Sequence, residues 1–175
     1  MLVADLKRVI REIPDHPKPG ILFYDLTPVF LNPQALRAVV SRMVERYKGE
    51  PIDVVCAIEA RGFLLAAPIA LELGVGLALA RKVGKLPWQT ESESYALEYG
   101  SGTLEMHRDA VSAGQRVLVV DDLLATGGTA QAAGRLVRRL GGVVQGYAFL
   151  VELGFLDGRT PLGTDAGVFS LVHYD

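Results

Sequence analysis

Residues 117–130 read VLVVDDLLATGGTA. Four apolar residues run into two adjacent acids, Asp121 and Asp122, then a Thr-Gly-Gly-Thr turn and the first residues of a helix. At the carboxyl end of a buried parallel strand, a turn that opens a helix presents free backbone N–H groups and the positive end of the helix dipole, which together suit a phosphate. Gly127 and Gly128 permit close backbone approach, and Thr126 and Thr129 add hydroxyl donors. The acids cannot serve a phosphate, so they face vicinal sugar hydroxyls or a hydrated divalent cation. A helix cap would need only one of them. No G-x-x-x-x-G-K-[ST] occurs, and no G-x-G-x-x-G follows a strand, which argues against a nucleoside-triphosphate loop and a dinucleotide site. The pattern points to a ribose 5-phosphate.

Outward from this stretch, IDVVCAI (52–58), GVGLALA (74–80), VLVV (117–120) and VVQGYAFLV (143–151) read as strands buried on both faces. Helical segments separate the first two and the last two. Residues 129–140 set Ala130, Ala133, Leu136, Val137 and Leu140 on one face, with Arg135, Arg138 and Arg139 elsewhere, and Gly141 closes that helix. Asn32 as N-cap and Pro33 in the first turn predict a second helix with Leu36, Val39, Val40, Met43 and Tyr47 inward, ending near Gly49. Leu2, Leu6, Val9, Ile10 and Ile13 recur at helical spacing near the start. The fold class is α/β with a parallel-rich sheet flanked by helices.

Between the second and third strands the texture changes. SYALEYGSGTLEMHRDA (94–110) alternates Tyr95, Leu97 and Tyr99 with Ala96 and Glu98 and turns at Gly100–Gly102, which predicts a β-hairpin. Its approach, RKVGKLPWQTESES (81–94), reads as a long mobile excursion of the kind that carries function.

The 175 residues, half of them hydrophobic, suit a single domain with a real core. A net charge of −2 provides no global basic field for nucleic acid or anionic membrane, so any anion binding is local. The lone Cys56 lies in an apolar run and reads as a small buried hydrophobe in a reducing compartment. The opening MLVADLKRVIREI is charged throughout, so the expectation is neither a signal peptide nor a membrane span, and a cytoplasmic protein. His16, His107 and His173 lack a metal-site spacing.

The 117–130 stretch resembles the phosphoribosyl-pyrophosphate (PRPP) motif of type I phosphoribosyltransferases. HPKPGILFYDLTPVF (16–30), EARGFLLAAPIA (59–70), RKVGKLP (81–87) and ESYALEYGSGTLEMHRDA (93–110) extend the likeness over nearly the whole chain, the last two being particular to the adenine-using branch. The resemblance implies the type I phosphoribosyltransferase fold across 1–175, with residues 1–35 contributing a small N-terminal hood and 83–108 a flexible catalytic loop and hairpin. It also implies transfer from PRPP to adenine, giving AMP and pyrophosphate in purine salvage, with Mg²⁺ and a homodimer.

By that resemblance, Ala125, Thr126, Gly127, Gly128 and Thr129 hold the 5-phosphate. Asp121 and Asp122 face the ribose hydroxyls and a metal held through PRPP and waters, with no direct protein ligand. Arg61 neutralises the departing pyrophosphate and counts as catalytic, and Arg81, Lys82 and Lys85 supply further cations, some of them across a dimer interface. Leu22, Phe23 and Tyr24 contact adenine. Tyr24 stands where many family members carry arginine, which leaves backbone readout at that position. Glu98 manages the proton at the purine, and Tyr95 and Tyr99 close the site. A second class, a nucleotide-sensing regulator that binds nucleic acid on this fold, is disfavoured because no basic arm is appended and the hairpin sequence is intact. The same chemistry on xanthine, hypoxanthine or orotate is the remaining alternative.

Overall fold

The computed structural model describes residues 3–96 and 101–175. In chain order the elements are α1 (Val3–Val9), β1 (Arg11–Pro14), β2 (Leu22–Asp25), α2 (Thr27–Leu31), α3 (Pro33–Tyr47), β3 (Val54–Ile58), α4 (Gly62–Leu73), β4 (Gly76–Lys82), β5 (Thr90–Ala96), β6 (Ser101–His107), β7 (Arg116–Leu124), α5 (Gly128–Arg139), β8 (Val143–Leu153) and β9 (Gly167–Tyr174). Two short 3-10 turns, Gly154–Leu156 and Thr160–Leu162, lie between β8 and β9.

The main sheet runs β5-β6-β4-β3-β7-β8-β9. Strands β4, β3, β7, β8 and β9 are mutually parallel, while β6 joins β4 antiparallel and β5 closes that edge. Parallel neighbours need a crossover, and α4 and α5 supply it for β3–β4 and β7–β8. For β3, β7 and β8 the unbroken apolar runs are explained by burial on both faces, whereas β4, expected to be buried likewise, leaves Leu77 exposed because it lies at the edge of the parallel part of the sheet, followed only by the β6–β5 hairpin. Val55, Ala57, Leu118, Val120, Ala148 and Leu150 pack towards α3 and α4, whereas Cys56, Ile58, Val117, Val119, Tyr147 and Phe149 share a second core with Ala133, Leu136 and Val137 of α5. Cys56 is fully buried, and burial pushes its thiol up to about 12.

Asn32 caps α3 as expected, its side chain accepting from the N–H groups of Gln34 and Ala35. Gly141 follows α5 at φ +92°. Three features differ from the sequence reading. Ile13 is not on α1; it lies on β1 and pairs with Phe23 in a separate two-stranded hairpin, because α1 stops before it and Pro14 cannot continue a helix. Residues 90–94, expected in an irregular excursion, form strand β5 and pair with β6 from Thr90↔His107 onward. Strand β9, whose GVFSLVHY carries ample β-formers, escaped notice. Leu2, Leu97, Glu98, Tyr99 and Gly100 lie outside the described residues.

Candidate active site

At the carboxyl ends of the parallel strands, β7 runs through Asp121 and Asp122 and turns at Ala125–Gly127 into α5. Gly127 takes φ +81° as N-cap, and no side chain caps the helix. The contrast with α3 is physical: one helix start is closed by its own asparagine, the other leaves its first N–H groups available to an anion. A cavity of about 70 Å³ opens inside this turn, between Asp121 and Ala130, on the scale of a single phosphate group. The larger groove of about 680 Å³ between α3 and α4 is lined only by residues of those helices and Lys48, with none from the strand ends, so it is not this site. Behind the turn, the backbone of Gly158 approaches so closely that a Cβ on Gly127 would sit 2.2 Å from the Gly158 carbonyl oxygen.

The helix that follows β3 also lacks a side-chain cap, with Arg61 as the N-cap of α4, but its Phe63 and Leu64 N–H groups already donate to the Ala60 and Arg61 carbonyls. The Arg61 Nε lies 2.6 Å from Oδ2 of Asp122. That contact is an ion pair without hydrogen-bond alignment, and Oδ2 is buried without a hydrogen-bond partner. Asp121 Oδ1 accepts from the Asp122 N–H at 2.9 Å. Withdrawal from water raises both carboxyl groups above the ordinary range. For Asp121 the neighbouring Asp122 adds to the rise, and for Asp122 the Arg61 guanidinium opposes it. Gly62 lets α4 come this close, since a Cβ there would meet Asp121 Oδ1 at 2.8 Å. Among the described residues no cluster of three His, Cys, Asp or Glu could hold a metal ion.

Beyond β3, the end of β4 presents the basic run. Arg81 is tied down: its Nε donates to Glu59 at 3.1 Å and an Nη donates to the Lys85 carbonyl. Glu59 also accepts from the Lys82 N–H at 3.0 Å. Burial works against the charge of Glu59, but these bonds and the cations hold its carboxyl below the usual range. The side chains of Lys82 and Lys85 are exposed.

On the hood, β2 alternates. Leu22 is exposed and Phe23 half-buried, with His16 against it edge-on at 5.0 Å. Tyr24 turns the other way, into the core, and its ring lies 4.0 Å from that of Tyr174 on β9. Its side chain therefore cannot reach a base beside Phe23, and any contact made there is through its backbone. Asp25 is bound by the Thr27 N–H and hydroxyl, which hold its carboxyl low, with Arg11 and Arg61 adding to the effect. Arg61 thus feels both the hood and the acid pair.

The profile of the phosphoribosyl transferase domain matches residues 30–153. The adenine phosphoribosyltransferase of Anaeromyxobacter dehalogenans strain 2CP-1 is 59% identical over 165 residues, covering 94% of this chain and 95% of the relative. That of Thermobifida fusca is 54% identical over 157 residues, 90% and 89% of the two chains. Among solved structures, adenine phosphoribosyltransferase from Thermoanaerobacter pseudethanolicus superposes with TM-score 0.94 at 49% identity, covering 98% of this chain and 99% of the other. The enzyme from Saccharomyces cerevisiae, complexed with an imino-altritol bisphosphate and adenine, gives 0.90 at 40% identity, covering 97% of each chain. The chain belongs to the adenine phosphoribosyltransferase family.

Within the family's fold, the structure brings together Arg61, Asp121, Asp122 and residues 125–129. Arg81, Lys82 and Lys85 line the next strand end, and the hood residues stand apart on their own hairpin. Tyr95 is half-buried against the core on the α5 side, its ring over Gly102. Sequence reasoning missed the segment after β8. Phe155 and Leu156 are apolar yet 59% and 38% exposed there, and Gly154 borders the β9 end that carries Tyr174. Their signal was local: two large apolar residues in a glycine-flanked turn at a strand end. Missed too was Arg159, which grips buried Glu152 at 2.6 and 2.7 Å and so fixes Gly158 behind the phosphate turn. No helix among the described residues is long and apolar enough to cross a membrane.

Proposed function

We infer that this chain transfers the 5-phosphoribosyl group of PRPP to adenine, giving AMP and pyrophosphate. The observation that carries the reading is the open start of α5 just after half-buried Asp121 and buried Asp122, with Arg61 and the start of α4 at the adjacent strand end. The open start of α5 suits the 5-phosphate, the Arg61 guanidinium suits the pyrophosphate, and the acids between them suit the ribose. Residues 125–129 hold the 5-phosphate, while Arg61, Arg81, Lys82 and Lys85 gather around the pyrophosphate. As the C1–O bond to pyrophosphate breaks, positive charge grows on the ribose and negative charge on the leaving group. Fixed cations neutralise the latter without reorganisation. The purine nitrogen then bonds to C1, and its proton passes to Glu98.

Phe23 and Leu22 offer the base an apolar face. Phe155 and Leu156, across the strand ends, offer a second, and Tyr99 closes over the site, while Tyr95, expected to close it too, packs on the core instead. Magnesium fits this donor set as a hydrated ion. Asp122 Oδ2 is held by Arg61 and no three-ligand cage exists among the described residues, so Asp121 and Asp122 would hold the ion through water beside PRPP. Bound there, the ion supplies charge neutralisation at the pyrophosphate. The chain works as a homodimer in the cytoplasm. Leu64 and Leu71 on α4 and Val83 beside the basic run are exposed apolar residues that a second copy would cover.

The direct experiment is AMP formation from adenine and PRPP with and without Mg²⁺, with hypoxanthine, xanthine and orotate as competitors. Preference for any of these over adenine would overturn the substrate assignment. A second check uses Trp88, the only tryptophan, which is 54% exposed and 6.3 Å from the His107 ring. If the segment before β5 closes over bound donor, Trp88 emission shifts to shorter wavelength with PRPP and Mg²⁺, and less with adenine alone. Trp88→Phe abolishes the shift and keeps most activity. A spectrum indifferent to saturating donor in an active preparation would remove Trp88 from the closing segment.

A further inference from the structure

The sequence left Arg135, Arg138 and Arg139 as the solvent side of an amphipathic helix. Two of them are not free in that sense. Arg135 donates to Glu93 Oε1 at 3.2 Å, and Arg139 binds the other carboxylate oxygen of Glu93 and also the Ser92 carbonyl at 2.5 Å. Glu93 is only 13% exposed, although it sits on the edge strand β5 of the hairpin. The two arginines lie one turn apart on α5, so a single carboxylate can engage both.

The inner strand of the hairpin is held by its own burial, since Leu104 and Met106 of β6 lie in the core shared with α5. Strand β6 registers with β4 through two residue pairs only, Arg81↔Glu105 and Lys82↔Leu104, whereas β5 and β6 pair along seven. The edge strand β5 meets the sheet only through β6. What binds that edge strand to the body is Glu93, together with Tyr95 against the core two residues on. The body it is bound to is α5, whose opposite end is the Gly127–Gly128 turn.

We propose that Glu93 is a positioning residue for the transferase reaction: through Arg135 and Arg139 it sets the hairpin on the same helix that carries the 5-phosphate turn, and so fixes the hairpin's distance from bound donor. A helix of this length is effectively rigid, so the two ends keep one spacing. The proposal rests on the reading that Glu98 acts from this hairpin. Glu93 itself touches no substrate, and its loss leaves the phosphate turn intact.

The test is steady-state kinetics of Glu93→Gln and of Arg135→Gln/Arg139→Gln. The pair is partly exposed, which limits its contribution, so kcat is expected to fall about threefold to tenfold with KM for PRPP within about twofold. At saturating substrates, added NaCl lowers kcat of the parent chain and leaves the Glu93→Gln variant unchanged. The charge-swapped triple variant Glu93→Arg/Arg135→Glu/Arg139→Glu restores kcat. Amide exchange over residues 90–96 is expected to speed up in Glu93→Gln while that of β3 and β7 stays as it was. Unchanged kcat in Glu93→Gln, or a loss appearing in KM for PRPP instead, would overturn the proposal. Glu98→Gln, run in parallel, is expected to lose about 10²-fold. If it does not, the proton role of Glu98 fails, and unchanged amide exchange in Glu93→Gln would then overturn the positioning role by itself.

Discussion

Replacing Asp121 and Asp122 together by asparagine is expected to lower turnover by about 10³-fold or more, the loss typical of removing preorganised electrostatic groups from a reacting centre. The melting temperature should stay level or rise. Both carboxyl groups have pKa values raised in the fold, first by burial. A raised carboxyl pKa means that the folded state holds its proton more tightly than the unfolded chain. Its contribution to stability is therefore fully present below the ordinary carboxylate range and is lost as pH rises through the folded pKa. At neutral pH the two charges burden the fold, and asparagine relieves that burden at nearly equal volume. The amide oxygen of the first asparagine can still accept from the N–H of the second, as Asp121 does from Asp122 at 2.9 Å. Thermal melts across pH 4–8 check this: the parent gains stability towards acid, and the double variant does so less. Retained turnover, or a melting temperature that collapses, would show that the acids are structural.

This opposition between stability and activity explains why the 117–130 stretch was legible. A strand end that puts two acids ahead of a glycine turn breaks the local rules of a buried strand, and such breaks concentrate at functional sites. The α3 cap, the α5 face and the four core strands were legible for the opposite reason, since cap chemistry and apolar patterning agree with what the fold does there. What could not be read were pairings between residues distant in sequence. Nothing near Arg61 announces its 2.6 Å contact with Asp122. Nothing in the hood tells that Tyr24 turns inward, because its partner Tyr174 lies on β9. Ile13 continued a helical period correctly as arithmetic, but pairing with Phe23 overrode it. The arginines of α5 looked solvated because Glu93 is more than forty residues away.

The second large effect is expected from Gly127→Ala. Two separate costs arise at this position. The backbone sits at φ +81°, where any residue with a Cβ loses about 1 kcal/mol. The added Cβ would also lie 2.2 Å from the Gly158 oxygen and 3.1 Å from its carbonyl carbon. Gly158 cannot retreat freely, since a Cβ on it would itself be 2.2 Å from the Ala125 oxygen, and Arg159 is anchored to Glu152. Forced overlap in packed structure costs about 1–3 kcal/mol, so the sum is about 2–4 kcal/mol of stability. The relief must come from the turn, which moves the N–H groups proposed to hold the 5-phosphate. Charged hydrogen bonds contribute about 1.5–3 kcal/mol each, and misaligning two of them lowers kcat/KM for PRPP by about 10³-fold. Gly74→Ala is the control, because Gly74 also lies in the left-handed region, at φ +69°, with nothing within 4 Å of the added Cβ. That variant carries the backbone cost alone and keeps its kinetics. Equal losses of melting temperature in the two variants, with normal KM for PRPP in Gly127→Ala, would mean that the contact with Gly158 yields easily and that the turn does not depend on it to meet the phosphate.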